Sequence, residues 1–318
     1  MPKRVLVTGG AGFIGSHITD TLIERGDKVV IIDNESTGRR DFVHPDAEYH
    51  TGDVRSMDDL DKVFEQPVDA VMHIAGQASI RKSFMNPVAD LEVNTIGTIN
   101  VLRKCIEYKV PRLLFASSMT VYGTPDLAPT PETAPIAPLA YYGVTKYAAE
   151  RYVHLTAARK DINFDFHVTS MRMFNVYGPR QSLTNAYQGV FAIFMGNVLR
   201  EEAINIHSDG EQSRDFVHVK DVANAWCTAM DTADTHGEVM NIGTGRPTSV
   251  NQLCDLVLKS FGHTRDTYEV NHHPAQPGDI RVSAADISKA ERLMGWQPTI
   301  PFEQGMAETI EWAKSQPQ

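Results

Sequence analysis

The sequence predicts an α/β chain: a doubly wound parallel sheet, followed by a smaller mixed α/β region that closes over the sheet's carboxyl edge. Three observations carry this. Short β-branched runs alternate with helical-period segments through the first half, a pattern that places helices on both faces of a parallel sheet with right-handed crossovers. A glycine-rich stretch, TGGAGFIG, stands directly between the first strand pattern and the first helical one. Beyond about residue 175 the regularity is lost, with loop-rich inserts such as GPRQ, HSDGEQSRDF and GTGRPTS.

RVLVT (4–8), KVVIID (28–33), AEYHTGDV (47–54), DAVMHIAG (69–76) and RLLFASS (112–118) are expected strands, and FHVTSMRMFN (166–175) adds another. FIGSHITDTLIERG (13–26) and DLEVNTIGTINVLRKCIEY (90–108) are expected helices, with further helical pieces at 189–200, 249–261, 286–294 and 302–314. The reading divides the chain into residues 1–174, a dinucleotide-binding Rossmann domain, and 175–318, a substrate-binding domain, with the chain crossing back between them.

The bulk numbers exclude several classes. With 42% hydrophobic and 22% charged residues, the 318-residue chain has an ordinary globular composition. Its formal net charge of −10 argues against nucleic acid or an anionic membrane as the main partner. No apolar run approaches the ~18 residues of a membrane span, and MPKRVLVTGG enters a strand pattern at once rather than a signal peptide. A cytoplasmic protein is expected. Cys105, Cys227 and Cys254 are widely spaced and odd in number, the pattern of buried free thiols rather than a disulfide framework or zinc motif. His272 and His273 lack partners at ligand spacing and are read as loop histidines, so no metal is expected.

Gly9, Gly12 and Gly15 turn a strand into a helix. Such a loop lets a pyrophosphate approach the backbone, and the helix N-terminus offers N–H groups and partial positive charge. Asp33 ends the second strand, where a carboxylate can hold the adenosine ribose hydroxyls. Asp53, in GDV at the end of the third, would lie near an adenine. Asp33 would repel a 2′-phosphate, which favours NAD over NADP. Arg39 and Arg40, close by, are the features that could favour NADP.

In YYGVTK only Tyr142 stands four positions before a lysine, Lys146. On a helix that spacing stacks a phenol and an ammonium one turn apart. Forming phenolate at pH 7 costs roughly 4 kcal/mol from a pKa near 10. A neighbouring ammonium and a positive nicotinamide ring would both favour the anion, so the pair reads as a pKa device.

Taken in order, TGGAGFIG, HIAG (73–76), SSMTVYG (117–123), YYGVTK, FNVYGPRQ (174–181), GEQSRDFVHVKDV (210–222) and PGDIR (277–281) resemble an extended short-chain dehydrogenase/reductase, more narrowly a nucleotide-sugar epimerase of the UDP-glucose 4-epimerase type. The resemblance implies Tyr142 as general acid/base, Lys146 on the nicotinamide ribose, and Ser118 on the sugar C4 oxygen with Thr120 beside it. It places Phe13, Ile14, Asn34, Ser36, Thr37, Gly38, Val54, Ile74, Ala75, Gly76, Gln77 and Phe174 around NAD. Ser117, read as structural, and Asn94, which orients the active-site backbone, join them.

By the same resemblance C4 hydride passes to NAD as Tyr142 removes the hydroxyl proton. A transient 4-keto sugar turns over, and hydride returns on its other face. For the substrate, Arg214 and Arg281 match diphosphate contacts, Asn175 donates to the diphosphate, and Gly189 and Val190 approach it by backbone. Asp279 matches a ribose contact and Asn205 a uracil contact. Ser283 stands where some epimerases have a tyrosine, so N-acetylated sugars are expected to fit. Homodimerisation through helices near 92–108 and 142–159, as a four-helix bundle, is implied too.

Met119 and Thr120 replace the acidic residues that dehydratases and decarboxylases carry after the serine, which disfavours those reactions. UDP-glucuronate epimerisation stays open because Arg81 could meet an anion. A non-catalytic NAD-sensing regulator remains the alternative of another class.

Overall fold

The computed structural model describes residues 2–183, 189–275 and 280–316. The chain runs β1 (Arg4–Thr8), α1 (Phe13–Glu24), β2 (Lys28–Asp33), β3 (Glu48–Thr51), α2 (Met57–Phe64), β4 (Ala70–His73), α3 (Ile80–Met85), α4 (Pro87–Leu91), α5 (Gly97–Glu107), β5 (Arg112–Ser118), α6 (Tyr141–Ala157), β6 (His167–Met173) and β7 (Asn175–Tyr177). It continues with α7 (Val190–Leu199), β8 (Ile204–His207), β9 (Ser213–His218), α8 (Val219–Asp231), β10 (Glu238–Ile242), β11 (Pro247–Ser249), α9 (Val250–Ser260), β12 (Val270–His273), α10 (Ser288–Met294) and α11 (Phe302–Lys314).

Seven parallel strands form the main sheet in the order β10-β6-β5-β4-β1-β2-β3. The order reverses between β1 and β4, which opens a crevice at their carboxyl ends where such folds bind ligands. Strand periodicity sorts the core onto the two faces. Val5, Val7, Ile31, Met72, Leu114 and Met171 pack with α1 and α8 residues such as Ile18 and Trp226. The intervening Leu6, Val30, Ile32, Val71, Leu113 and Phe115 pack with Leu60 of α2, Val101 of α5 and Val153 of α6. The fold is thus the expected doubly wound α/β sheet.

Two small sheets, β11-β9-β7 and β12-β8, form the second region. Its core joins Phe191, Phe194 and Met195 of α7 to Leu253 and Val257 of α9 and Ile310 of α11.

The expected elements differ from the structure in several places, and β9 and β11 overlap segments expected to be loop-rich inserts. The strand expected over 166–175 breaks at Phe174, whose N–H donates to Ile242 O, so that β7 leaves the main sheet and pairs with β9. The seventh strand, β10, went unread, as did α8, which packs against α1. Helices α2, α3 and α4 were also unread, although Ser56, Ser79 and Asn86 cap them with side-chain oxygens. His272 and His273 are strand residues of β12 rather than loop residues, and His273 Nε2 bonds Asn205 Oδ1 at 2.8 Å.

Cys105, Cys227 and Cys254 are buried free thiols. No helix among the described residues is long and apolar enough to cross a membrane.

Candidate active site

A cavity of about 480 Å³ opens along the carboxyl ends of β1, β2, β4 and β5, within the size range of cofactor pockets. Gly9, Gly12, Phe13, Ile14, Gly15, Asp33, Asn34, Ser36, Thr37, Asp53, Val54, Ile74, Ala75, Gly76, Gln77, Ser117, Tyr142 and Lys146 line it, and Gly189 reaches its edge. Of the positions expected around a dinucleotide, Gly38, Asn94 and Phe174 stand behind this wall. Gly38 lies against Asp33 and Ala11, and Phe174 is buried with Met119, Val121 and Tyr122.

The glycines divide their roles. Gly9 has φ +74°, and a Cβ on Gly15 would sit 2.1 Å from Gly9 O, so these two let strand and helix meet. A Cβ on Gly12 would meet only Gly9 O, at 3.2 Å, although Gly12 faces the cavity. Its small size therefore leaves room for a ligand rather than for the protein. Helix α1 begins there with no side-chain cap and no acidic residue in its first turn, the setting for a pyrophosphate.

Asp33 accepts from Ala11 N at 3.0 Å and Glu35 N at 2.8 Å. Burial raises its pKa, and these N–H bonds oppose the rise. Arg39 forks onto Asp41, and Arg40 lies over Tyr49 with its guanidinium carbon 3.6 Å from the ring centre. Both arginines are engaged away from any 2′-phosphate role. Asp53 receives the Arg55 guanidinium and Asn34 Nδ2, and the Arg55 bonds are the main cause of its pKa falling to about 2. These residues fit NAD: a carboxylate for ribose hydroxyls, a bare helix N-terminus and a glycine whose side chain would fill the cleft.

Helix α6 carries Tyr142 and Lys146, and the Gly143 between them allows close packing, since a Cβ there would meet Thr120 O at 2.7 Å. Ser118 ends β5 and caps the next turn; Thr120 donates to its Oγ from Oγ1 at 3.0 Å and from N at 3.3 Å. The Ser118 hydroxyl is near enough to the Tyr142 phenol to favour its anion.

One expectation is corrected here. The protein's own residues push Tyr142 up to about 12, because desolvation outweighs the nearby Ser118 hydroxyl and Asp90 adds like charge. Lys146 is pushed down to about 8 by burial, with Asp90 and Glu150 opposing. The chain alone does not make the phenol acidic.

Beneath these groups runs a directional hydrogen-bond chain. Thr98 Oγ1 donates to Asn94 O at 2.6 Å, so it accepts from His73 Nε2 at 2.9 Å, and His73 Nδ1 accepts from Thr8 Oγ1 at 2.7 Å. Thr8 Oγ1 in turn accepts from Ala75 N at 3.2 Å. His73 is fully buried with its pKa pushed down to about 3, a neutral strut between β1, β4 and α5. Asn94 sits in a π-helical turn, Glu92–Ile96, that joins α4 to α5. Such turns recur at functional sites. Its amide accepts from Gln77 N at 2.9 Å and donates to Gln77 O at 3.0 Å, pinning the loop at the cavity wall.

The positions expected to hold substrate are more scattered. Met119 lies under Ser283, whose Oγ is 3.2 Å from Met119 Sδ. Asn175 begins β7, with its Oδ1 buried and without a hydrogen-bond partner among the described residues. Val190 opens α7 after Gly189. Arg214 Nη1 donates to Ile280 O at 2.7 Å, whereas Arg281 forks onto Asp209 at 2.6 and 3.0 Å. Asn205 is exposed on β8, engaged by His273. Asp279 lies outside the described residues. Sequence reasoning missed Ile32, Gly52, Arg55, Ala78, Ser79, Lys82, Val93, Ala116 and Met173 on the cavity wall. The N-cap serine of SIRK was a usable signal for Ser79 and Lys82.

The model of the NAD-dependent epimerase/dehydratase family matches residues 5–243. A Methanocaldococcus jannaschii protein, assigned provisionally as a UDP-glucose 4-epimerase, is 40% identical over 98% of both chains. The solved UDP-glucose 4-epimerase of Thermotoga maritima, with UDP-glucose, is 38% identical over 98% of both chains at a TM-score of 0.91. That of Thermus thermophilus, complexed with NAD, is 34% identical over 98% of this chain and 99% of its own, at 0.89. On the glycine loop, the Ser118–Tyr142–Lys146 set and these similarities, the chain belongs to the NAD-dependent epimerase/dehydratase family, as an extended short-chain dehydrogenase/reductase of the nucleotide-sugar epimerase kind that uses NAD.

Proposed function

We propose that the protein is a 4-epimerase of a UDP-sugar, interconverting UDP-glucose and UDP-galactose and also accepting their 2-acetamido counterparts. One observation carries this reading. Tyr142 and Lys146 line the cavity with Ser118 next to the phenol, while Met119 and Thr120, which are neither acids nor bases at neutral pH, follow Ser118. Elimination and decarboxylation would need an acidic group there, so those reactions are disfavoured.

Bound NAD supplies a reversible hydride acceptor, whose positive ring favours the Tyr142 anion. Tyr142 takes the proton of the C4 hydroxyl and returns it after the sugar has turned. Ser118 holds the C4 oxygen, and Lys146 holds the nicotinamide ribose; among the described residues its Nζ has no hydrogen-bond acceptor and lies 4.4 Å from the Phe115 ring centre. Asn175, Gly189, Val190, Asn205, Arg214, Asp279 and Arg281 are assigned to the nucleotide diphosphate, with Arg281 released from Asp209 on binding. Residues 1–174 form the dinucleotide-binding part and 175–318 the nucleotide-sugar part, with α8 and β10 returning to the first.

A homodimer and a cytoplasmic site of action belong to the same reading. Phe84, Met85, Val88, Leu91 and Ile96 are exposed along α3, α4 and the π turn, beside exposed Val144, Tyr152 and Leu155 of α6. An apolar face of that extent supports pairing of these helices between copies.

The test incubates the purified chain with UDP-galactose and no added cofactor, then analyses the sugar nucleotides. UDP-glucose as product supports the reading. Loss of water or carbon dioxide, or no change with intact bound NAD, contradicts it.

A further inference from the structure

Asp90 is almost completely buried, and its partners are all neutral donors. Thr145 Oγ1 donates to Oδ2 at 2.6 Å, while Gln77 Nε2 and Asn94 Nδ2 donate to Oδ1 at 2.6 and 3.2 Å. Those donors come from the cavity loop, the π turn and α6. Asn94 Oδ1 and Lys146 Nζ both stand near Gly76, 2.9 and 3.7 Å from where its Cβ would be.

The titratable groups facing Lys146 are few. From its own helix come Tyr142, one turn back, and Glu150, one turn on; from α4 comes Asp90, and from β4 neutral His73. Glu150 is spent on Arg172, which donates to both its oxygens at 3.0 and 2.6 Å. Among the described residues Asp90 has no ion-pair partner within 4.0 Å, only the neutral donors named above.

We propose that Asp90 is a positioning residue for the reaction: it is the buried counter-charge of Lys146 and, through Thr145, the anchor of the α6 turn that carries Tyr142. An uncompensated buried carboxylate is unfavourable by itself, and here it stands near a lysine whose pKa burial lowers to about 8 and whose charged form Asp90 favours. Thr145 Oγ1 also lies 3.1 Å from Tyr142 O, so the anchor reaches the catalytic residue's backbone. The proposal rests on the reading of Lys146 and Tyr142 given above.

Asp90→Asn separates the two roles. An amide accepts from Gln77 and Asn94 and donates to Thr145, which then donates to Tyr142 O, so the geometry survives while the charge is lost. Lysine side chains labelled with carbon-13 report the Lys146 midpoint in the full chain without any substrate. We expect Asp90→Asn to lower that midpoint by about one unit and to move the alkaline limb of kcat down with it. Thr145→Val is expected to lower kcat at every pH and leave the midpoint in place. Asp90→Ser, which also drops the charge while keeping a hydroxyl partner for Thr145, is read for the same Lys146 midpoint should Asp90→Asn fail to fold. An unmoved Lys146 midpoint in folded Asp90→Asn or Asp90→Ser overturns the proposal. The midpoints are readable even if the sugar reaction proves to be a different one, so the two readings fail separately.

Discussion

Glu150 and Arg172 form a doubly hydrogen-bonded ion pair sealed between α6 and β6, their side chains only 3% and 6% exposed. Ser117 Oγ donates to Glu150 Oε2 at 2.6 Å, and Arg172 Nη1 donates to Tyr122 Oη at 3.0 Å. The pair thus ties the helix that carries Tyr142 to the strand end that carries Ser118. Removing one partner strands the other charge in a dry interior. Arg172→Met is expected to destabilise the fold by about 3–5 kcal/mol, measured by denaturant unfolding. The double variant with Glu150→Leu recovers part of that loss, whereas independent costs would simply add.

Tyr142→Phe removes the acid/base while keeping the ring. Turnover of UDP-galactose is expected to fall by about 10²–10⁴-fold, with bound dinucleotide retained on denaturation and extraction. Unchanged turnover would strip Tyr142 of its role.

The phosphate loop allows a paired test. Gly15→Ala forces a Cβ to 2.1 Å from Gly9 O, so both stability and dinucleotide content should fall, the former by about 1–3 kcal/mol. Gly12→Ala meets no protein atom closer than 3.2 Å. Its melting temperature is expected to stay within about 4 °C of the parent while dinucleotide content falls. Equal loss of stability in both variants would contradict this division.

Asp53 gives a pH dependence of definite sign. Its folded pKa of about 2 lies below the usual carboxylate value, chiefly through Arg55. The stabilisation is therefore complete above about pH 4 and is lost as pH falls through the folded value. Asp53→Asn should flatten the acid side of the stability curve between about pH 4 and 2. A curve of unchanged slope there would contradict the pairing.

Ser283 is 1% exposed and touches Met119. Ser283→Tyr is expected to cut turnover of UDP-N-acetylgalactosamine at least about tenfold relative to UDP-galactose, in a direct competition assay. An unchanged ratio would remove Ser283 from the sugar pocket.

Much of this was legible in the sequence where local chemistry decides structure. The strands β1, β2 and β5 were read at their observed limits because continuous apolar runs bounded by turn residues admit little else. The glycine spacing led to the loop, and the i, i+4 pair led to Tyr142 and Lys146 on one helix. What stayed hidden depends on distant partners. Strand β10 owes its place to pairing with β6, and the break at Phe174 to a carbonyl 68 positions away at Ile242. The protein's own contribution to the Tyr142 shift was hidden for the same reason. Spacing shows which cation is near, whereas burial, set by the whole fold, decides which effect wins. Asp90 looked like any helix residue until the fold enclosed it.

The central claim is that Tyr142 deprotonates a sugar hydroxyl beside a dinucleotide that takes up C4 hydrogen and gives it back. Conversion of UDP-galactose in deuterium oxide, followed by proton NMR of the product, tests this most directly. The account predicts UDP-glucose with protium retained at C4. Deuterium at that carbon, or a product lacking water or carbon dioxide, would contradict it.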